Sequence, residues 1–111
     1  MKVYFIGAGP GDPELITIKG LKVIQRSGYC IYAGSLVNPE LLKSLPAHAK
    51  VYDSSRMSLE DMVVVYKEAM RHNMDVARIH SGDPSIYGAI QEQMHALDEL
   101  GITYETIPGV S

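Results

Sequence analysis

The sequence predicts an α/β fold in which five short strands alternate with helices. Two observations carry that reading. Segments of β-like and helix-like character follow one another at short, regular intervals, with no linker, low-complexity tract or long repeat between them. Most of the β-like segments also lack strict alternation of polar and apolar residues, as strands buried on both faces do. At 111 residues and 46% hydrophobic content the chain suits one domain with a single buried core, spanning residues 1–111.

Strands are expected at residues 2–7, 29–33, 50–53, 75–80 and 102–107, each β-branched or aromatic in character and bounded by Gly, Pro or polar residues. The first helix is expected from Pro13 to about Arg26, ending near Gly28, and a short one from Pro39. The clearest helix covers 58–72: Leu59, Met62, Val63, Tyr66, Ala69 and Met70 recur at spacings of three and four behind Ser58 as N-cap. A fourth is expected over about 85–99, with Ile86, Ile90 and Leu97 on one side and Gly101 placed to end it.

Composition narrows the function classes. There are 13 Asp and Glu against 10 Lys and Arg, and no basic block tracks a helix or loop, so no nucleic-acid partner is expected. Cys30 is the only cysteine and lies in an apolar run, which fits a reducing, cytoplasmic compartment. The apolar run at the amino terminus gives way at once to glycines and is too short for a signal peptide or a membrane span. A soluble protein is expected.

Gly11-Asp12-Pro13 follows the first strand, and the same tripeptide, Gly82-Asp83-Pro84, follows the fourth. Each reads as a strand-to-helix turn: glycine permits a tight path, aspartate accepts from a free N–H, and proline suits the first helical position. Capping alone accounts for either tripeptide. It does not account for Gly7-Ala8-Gly9-Pro10-Gly11-Asp12, where three glycines and a proline in six residues imply that something approaches the backbone closely. A dinucleotide fingerprint would need glycine at position 12, which is Asp12, and an acid at the end of the second strand, which reads Tyr32-Ala33-Gly34. A phosphate-binding P-loop would need Gly-Lys-Ser/Thr, and none follows.

With these segments in view, the chain resembles the amino-terminal half of the tetrapyrrole methylases. The resemblance runs from Met1 to Ser111. It rests on Gly7-Ala8-Gly9-Pro10-Gly11-Asp12 with Leu15-Ile16-Thr17, on His80-Ser81-Gly82-Asp83-Pro84-Ser85-Ile86-Tyr87-Gly88, and on Pro108-Gly109-Val110-Ser111. Within the family, Ile31-Tyr32-Ala33-Gly34-Ser35-Leu36-Val37 and Tyr87-Gly88-Ala89-Ile90-Gln91-Glu92-Gln93-Met94 are most similar to the branch that methylates a corrin precursor, precorrin-4, at C11.

The resemblance implies a parallel five-stranded sheet in the order 3-2-4-1-5, a second domain absent from this chain, and S-adenosylmethionine held between the two. Residue by residue, it implies that Pro10 lines the cofactor site, that Ser81, Gly82 and Asp83 offer mainly backbone contacts, and that Ile86 packs on the cofactor. Gly9, Gly11, Asp12, Tyr32, Ser35 and His80 are candidates for contact with the tetrapyrrole. Tyr32, Ser35 and His80 also read as ordinary strand-end residues.

The implied reaction is an in-line methyl transfer from a sulfonium to carbon, which needs alignment and exclusion of water more than a nucleophilic side chain. Some family members carry an aspartate just after the second strand, where this chain has Ala33-Gly34, so no catalytic base is assigned. No metal site is assigned either: His48, His72 and His95 show no ligand spacing, and His80 lacks convergent ligands. Met57, Met62, Met70 and Met94 read as core or helix-face residues. A homodimer is implied by the resemblance alone. Other acceptors within the family remain open, among them another precorrin position, uroporphyrinogen III, a modified histidine or an RNA ribose. So does a nucleotide-binding module without methyl transfer.

Overall fold

The computed structural model describes residues 1–8, 16–33, 37–80 and 88–109, with residues 88 and 89 described by backbone alone. Five parallel strands, β1 (Val3–Gly7), β2 (Tyr29–Tyr32), β3 (Lys50–Asp53), β4 (Val76–His80) and β5 (Tyr104–Ile107), form one sheet in the order β3-β2-β4-β1-β5. Among the described residues four helices lie between them: α1 (Ile18–Arg26), α2 (Pro39–Leu42), α3 (Leu59–Arg71) and α4 (Gly88–Leu100). The α/β class, the strand count and the strand order agree with the sequence reading. A 3-10 turn over Ser54–Arg56 was not anticipated.

Each central strand is buried on both faces, which is why its sequence is a nearly continuous apolar run. One face carries Val3, Phe5, Tyr29, Ile31 and Val76 against Val65, Tyr66 and Ala69 of α3 and Ile90 and Leu97 of α4. The other carries Ile6, Cys30, Ala77, Ile79 and Ile107 against Val23 and Ile24 of α1 and Leu41 of α2. Cys30 is wholly buried, and burial pushes its thiol pKa up to about 12, so it is an inert packing group.

Two helices depart from expectation. Helix α1 starts at Ile18, not Pro13: Thr17 is extended, and its hydroxyl accepts from the Gly20 amide at 3.1 Å. A threonine that can satisfy a free N–H of the first turn sets the start there. In α3, Ser58 caps as expected, in a reciprocal box with Asp61. The buried stripe of α3, however, is Val65, Tyr66 and Ala69, while Met70 lies 40% exposed. Met57, Met62 and Met94 pack against the core as expected.

At the far end of α4, Gly101 takes φ +72°, the left-handed conformation that ends a helix, as expected of it, and the helix runs to Leu100, one residue past 99. The start expected at about residue 85 lies outside the described residues. Among the described residues no helix is long and apolar enough to cross a membrane.

Candidate functional site

Because all five strands run parallel, their carboxyl ends share one edge, and the glycine-containing loops leave from it. Gly7 of β1 lies beside His80 of β4. The Ala8 amide donates to the His80 carbonyl at 2.7 Å, and the Ala33 amide donates to the Ile79 carbonyl at 3.1 Å. The end of β4 therefore ties down the ends of both β1 and β2. After β5, Gly109 comes so close to β1 that a Cβ there would lie 2.8 Å from the carbonyl carbon and oxygen of Gly7. Only glycine permits this approach. The segments that begin at residues 9, 34, 81 and 110 thus start from neighbouring points on one edge. Such an edge is where open α/β sheets bind ligands.

Of the expected contact residues, Tyr32 and His80 are described; Gly9, Pro10, Gly11, Asp12, Ser35, Ser81, Gly82, Asp83 and Ile86 lie outside the described residues. Tyr32 and His80 do not converge. Tyr32 packs on the α1 and α2 side of the sheet. His80 lies on the other side, with its ring 6.2 Å from that of Phe5, two residues along from Arg78. His80 is 7% exposed, and burial, aided by the Arg78 charge, lowers its pKa from 6.5 to about 3. At neutral pH it is a neutral imidazole. His48, His72 and His95 are exposed, and among the described residues no cluster of His, Cys, Asp and Glu could hold a metal ion.

Sequence reasoning missed three polar residues beneath this edge. Arg78 is 5% exposed in the central strand and Gln93 is 2% exposed in α4. The Tyr66 hydroxyl of α3 donates to Gln93 Oε1 at 2.6 Å, and Arg78 Nε donates to the same oxygen at 3.3 Å. Arg78 Nη1 reaches the carbonyls of Ile79 and Ile31 at 3.4 and 3.5 Å. Burial lowers the Arg78 pKa and raises that of Tyr66. A signal was present: Gln93 stands three residues after Ile90 and four before Leu97 on the apolar side of its helix, and Arg78 interrupts the apolar run 76–79.

A model of the tetrapyrrole (corrin/porphyrin) methylases matches residues 2–111. Over 110 residues the chain is 54% identical to a cobalt-precorrin-4 C(11)-methyltransferase of Methanocaldococcus jannaschii, covering 99% of the chain and 42% of that relative. It is 53% identical to a precorrin-4 C(11)-methyltransferase of Pseudomonas aeruginosa, over the whole chain and 44% of the relative. The chain thus spans less than half the length of these relatives.

Among solved structures it superposes with a TM-score of 0.93 on the X-ray structure of a cobalt precorrin-4 methyltransferase, a cobalamin biosynthetic enzyme, at 47% identity. That match covers 99% of this chain and 46% of that one. It also superposes, at a TM-score of 0.81 and 33% identity, on a uroporphyrin-III C-methyl transferase of Thermus thermophilus complexed with S-adenyl homocysteine. There the match covers 100% of this chain and 46% of that one.

Proposed function

The chain belongs to the tetrapyrrole methylases, and on that premise we propose that it is the amino-terminal half of an S-adenosylmethionine-dependent methyltransferase of corrin biosynthesis. The acceptor in this reading is C11 of precorrin-4 or its cobalt complex. The observation that carries it is the 54% identity to a C11-methylating relative, sustained over 99% of the chain. The 36% identity to the uroporphyrinogen-III C-methyltransferase of Bacillus subtilis is markedly lower and favours C11 over that acceptor.

A sulfonium is cationic, and the imidazole that closes β4 is neutral, so the positive charge it would meet beneath this edge is that of the buried Arg78. Neither a Lys nor an Arg stands in the segments 7–15 and 80–88, as a polyphosphate ligand would favour. In this reading Pro10, Ser81, Gly82, Asp83 and Ile86 hold the cofactor and Gly9, Gly11, Asp12 and Ser35 face the tetrapyrrole, whereas Tyr32 and His80, on opposite sides of the sheet, do not both reach it. The bound cofactor supplies an electrophilic methyl group. The chain's own task is to align two large reactants and exclude water, using backbone loops fixed to rigid strand ends.

In this reading a second domain completes the site, and the enzyme is a cytoplasmic homodimer. Calorimetry on the full-length protein tests the cofactor: S-adenosylhomocysteine binds, and NAD and ATP bind far more weakly or not at all. Mass spectrometry and NMR of the product formed from precorrin-4 test the methylated position. Tight NAD binding without S-adenosylhomocysteine binding overturns the proposal, and methylation at another carbon overturns its C11 assignment.

A further inference from the structure

We propose that Arg78 is a positioning residue of the carboxyl edge, its guanidinium fixing the ends of β2 and β4 relative to each other through the carbonyls of Ile31 and Ile79. Gln93 of α4 and Tyr66 of α3 hold the guanidinium in turn. The geometry stands by itself; its consequence for methyl transfer rests on the function proposed above.

A buried cation is a poor way to fill a core. Its desolvation is costly, and an apolar side chain of similar volume is often neutral or stabilising in its place. Among the described residues no carboxylate meets Arg78, and every acceptor it reaches is neutral. The fold alone thus gives little reason for an arginine in its central strand, whereas the site gives one.

The Ile79 carbonyl that Arg78 approaches is the one that accepts from Ala33, the last described residue before the segment 34–36. The following carbonyl, that of His80, accepts from Ala8, the last before the segment 9–15. The guanidinium therefore sits where the ends of β2 and β4 meet, one residue before the carbonyl that ties down β1. A planar fork can address several acceptors in fixed directions, which an ammonium cannot. Its own direction is set by Gln93 Oε1, which takes one bond from Arg78 and a shorter one from Tyr66, so both helices on that face determine where the fork points. The charge also acts on His80, whose pKa it helps to depress.

The test uses full-length protein carrying Arg78→Met or Tyr66→Phe, beside the unaltered protein, with three readouts. Amide hydrogen exchange at Ala33 is expected to quicken by about tenfold or more in Arg78→Met, and less in Tyr66→Phe, while the Val76 amide at the opposite end of β4 is unchanged. The midpoint of thermal unfolding of Arg78→Met is expected at or above that of the unaltered protein. Its kcat for methylation of precorrin-4 is expected to fall about 10–100-fold with little change in KM, as misplaced strand ends would cause.

A merely structural arginine would lower the unfolding midpoint and leave kcat alone. Unchanged Ala33 protection in both variants overturns the inference. Should Arg78→Met fail to fold, Tyr66→Phe decides by the same readouts. Absence of methyl transfer by the unaltered protein overturns the proposed function instead, and the exchange measurement then decides the inference alone.

Discussion

At His80, burial and a neighbouring charge act on the same proton. The residue is neutral in the fold down to about pH 3, whereas in the unfolded chain it takes up a proton near its ordinary value of 6.5. Between those values the unfolded state binds more protons, so stability from this group is complete above about pH 6.5 and is lost as pH falls towards 3. Each unit of separation is worth about 1.4 kcal/mol, so the loss over the whole range is on the order of 5 kcal/mol at most. Urea unfolding across that range should show a steeper acid loss for the natural protein than for His80→Asn, whose carboxylates are the same. Equal slopes would mean that His80 is protonated in the fold.

Two glycines offer a second comparison at this scale. A Cβ on Gly109 meets the backbone of Gly7 at 2.8 Å, whereas one on Gly28 meets Met74 Sδ at 2.5 Å. Backbone in a sheet cannot step aside, but the 39% exposed Met74 side chain can. Gly109→Ala should therefore destabilise by about 1–3 kcal/mol. Gly28→Ala should stay within about 1 kcal/mol of the parent, because alanine also narrows the unfolded ensemble. Thermal denaturation of the two variants decides the order.

Helix starts show how local chemistry sets an element's limits. Ser58 Oγ accepts from the Asp61 amide at 3.1 Å and the Asp61 carboxylate accepts from the Ser58 amide at 3.0 Å, so two free donors of α3 are satisfied by one motif. Ser58→Ala should cost about 1 kcal/mol in urea unfolding. With Asp61→Ala already in place it should cost less, because the box works as a pair. That cap was legible in the sequence. The start of α1 was not, because Asp12-Pro13 and Thr17 are both good starting signals and residues 13–17 satisfy local rules either way. The stripe of α3 was misread at two places, the unnamed Val65 and the exposed Met70, for a similar reason: Val63, Val64 and Val65 are equally apolar, and only the packed sheet selects Val65.

The whole molecule places one sheet between two layers of helices, and strands β1, β2 and β4 contribute side chains to both cores. Loss of either core exposes the same strands, so residues 1–111 should unfold in one transition, with coincident midpoints by far-ultraviolet dichroism and tyrosine fluorescence. If the site is completed by a second domain, the same fragment should bind S-adenosylhomocysteine much more weakly than full-length protein and transfer no methyl group. Full turnover by residues 1–111 would overturn the two-domain site.

The sequence by itself determined the α/β class, the five strands, most caps and, through three glycine-containing motifs, the family. These are local matters: a strand buried on both faces must be apolar throughout, and a tight turn must use the residues whose backbone permits it. Tertiary structure alone decided that Tyr32 and His80 face opposite sides of the sheet, that Gly109 rests on Gly7, and that Arg78, Gln93 and Tyr66 meet. Those residues come from five strands and helices separated by long stretches of chain. Local rules state what each segment prefers, but not which neighbour a side chain will find once the layers close. The interrupted run 76–79 marks Arg78 as unusual, but which groups meet it is decided only when the helices that cover it are in place.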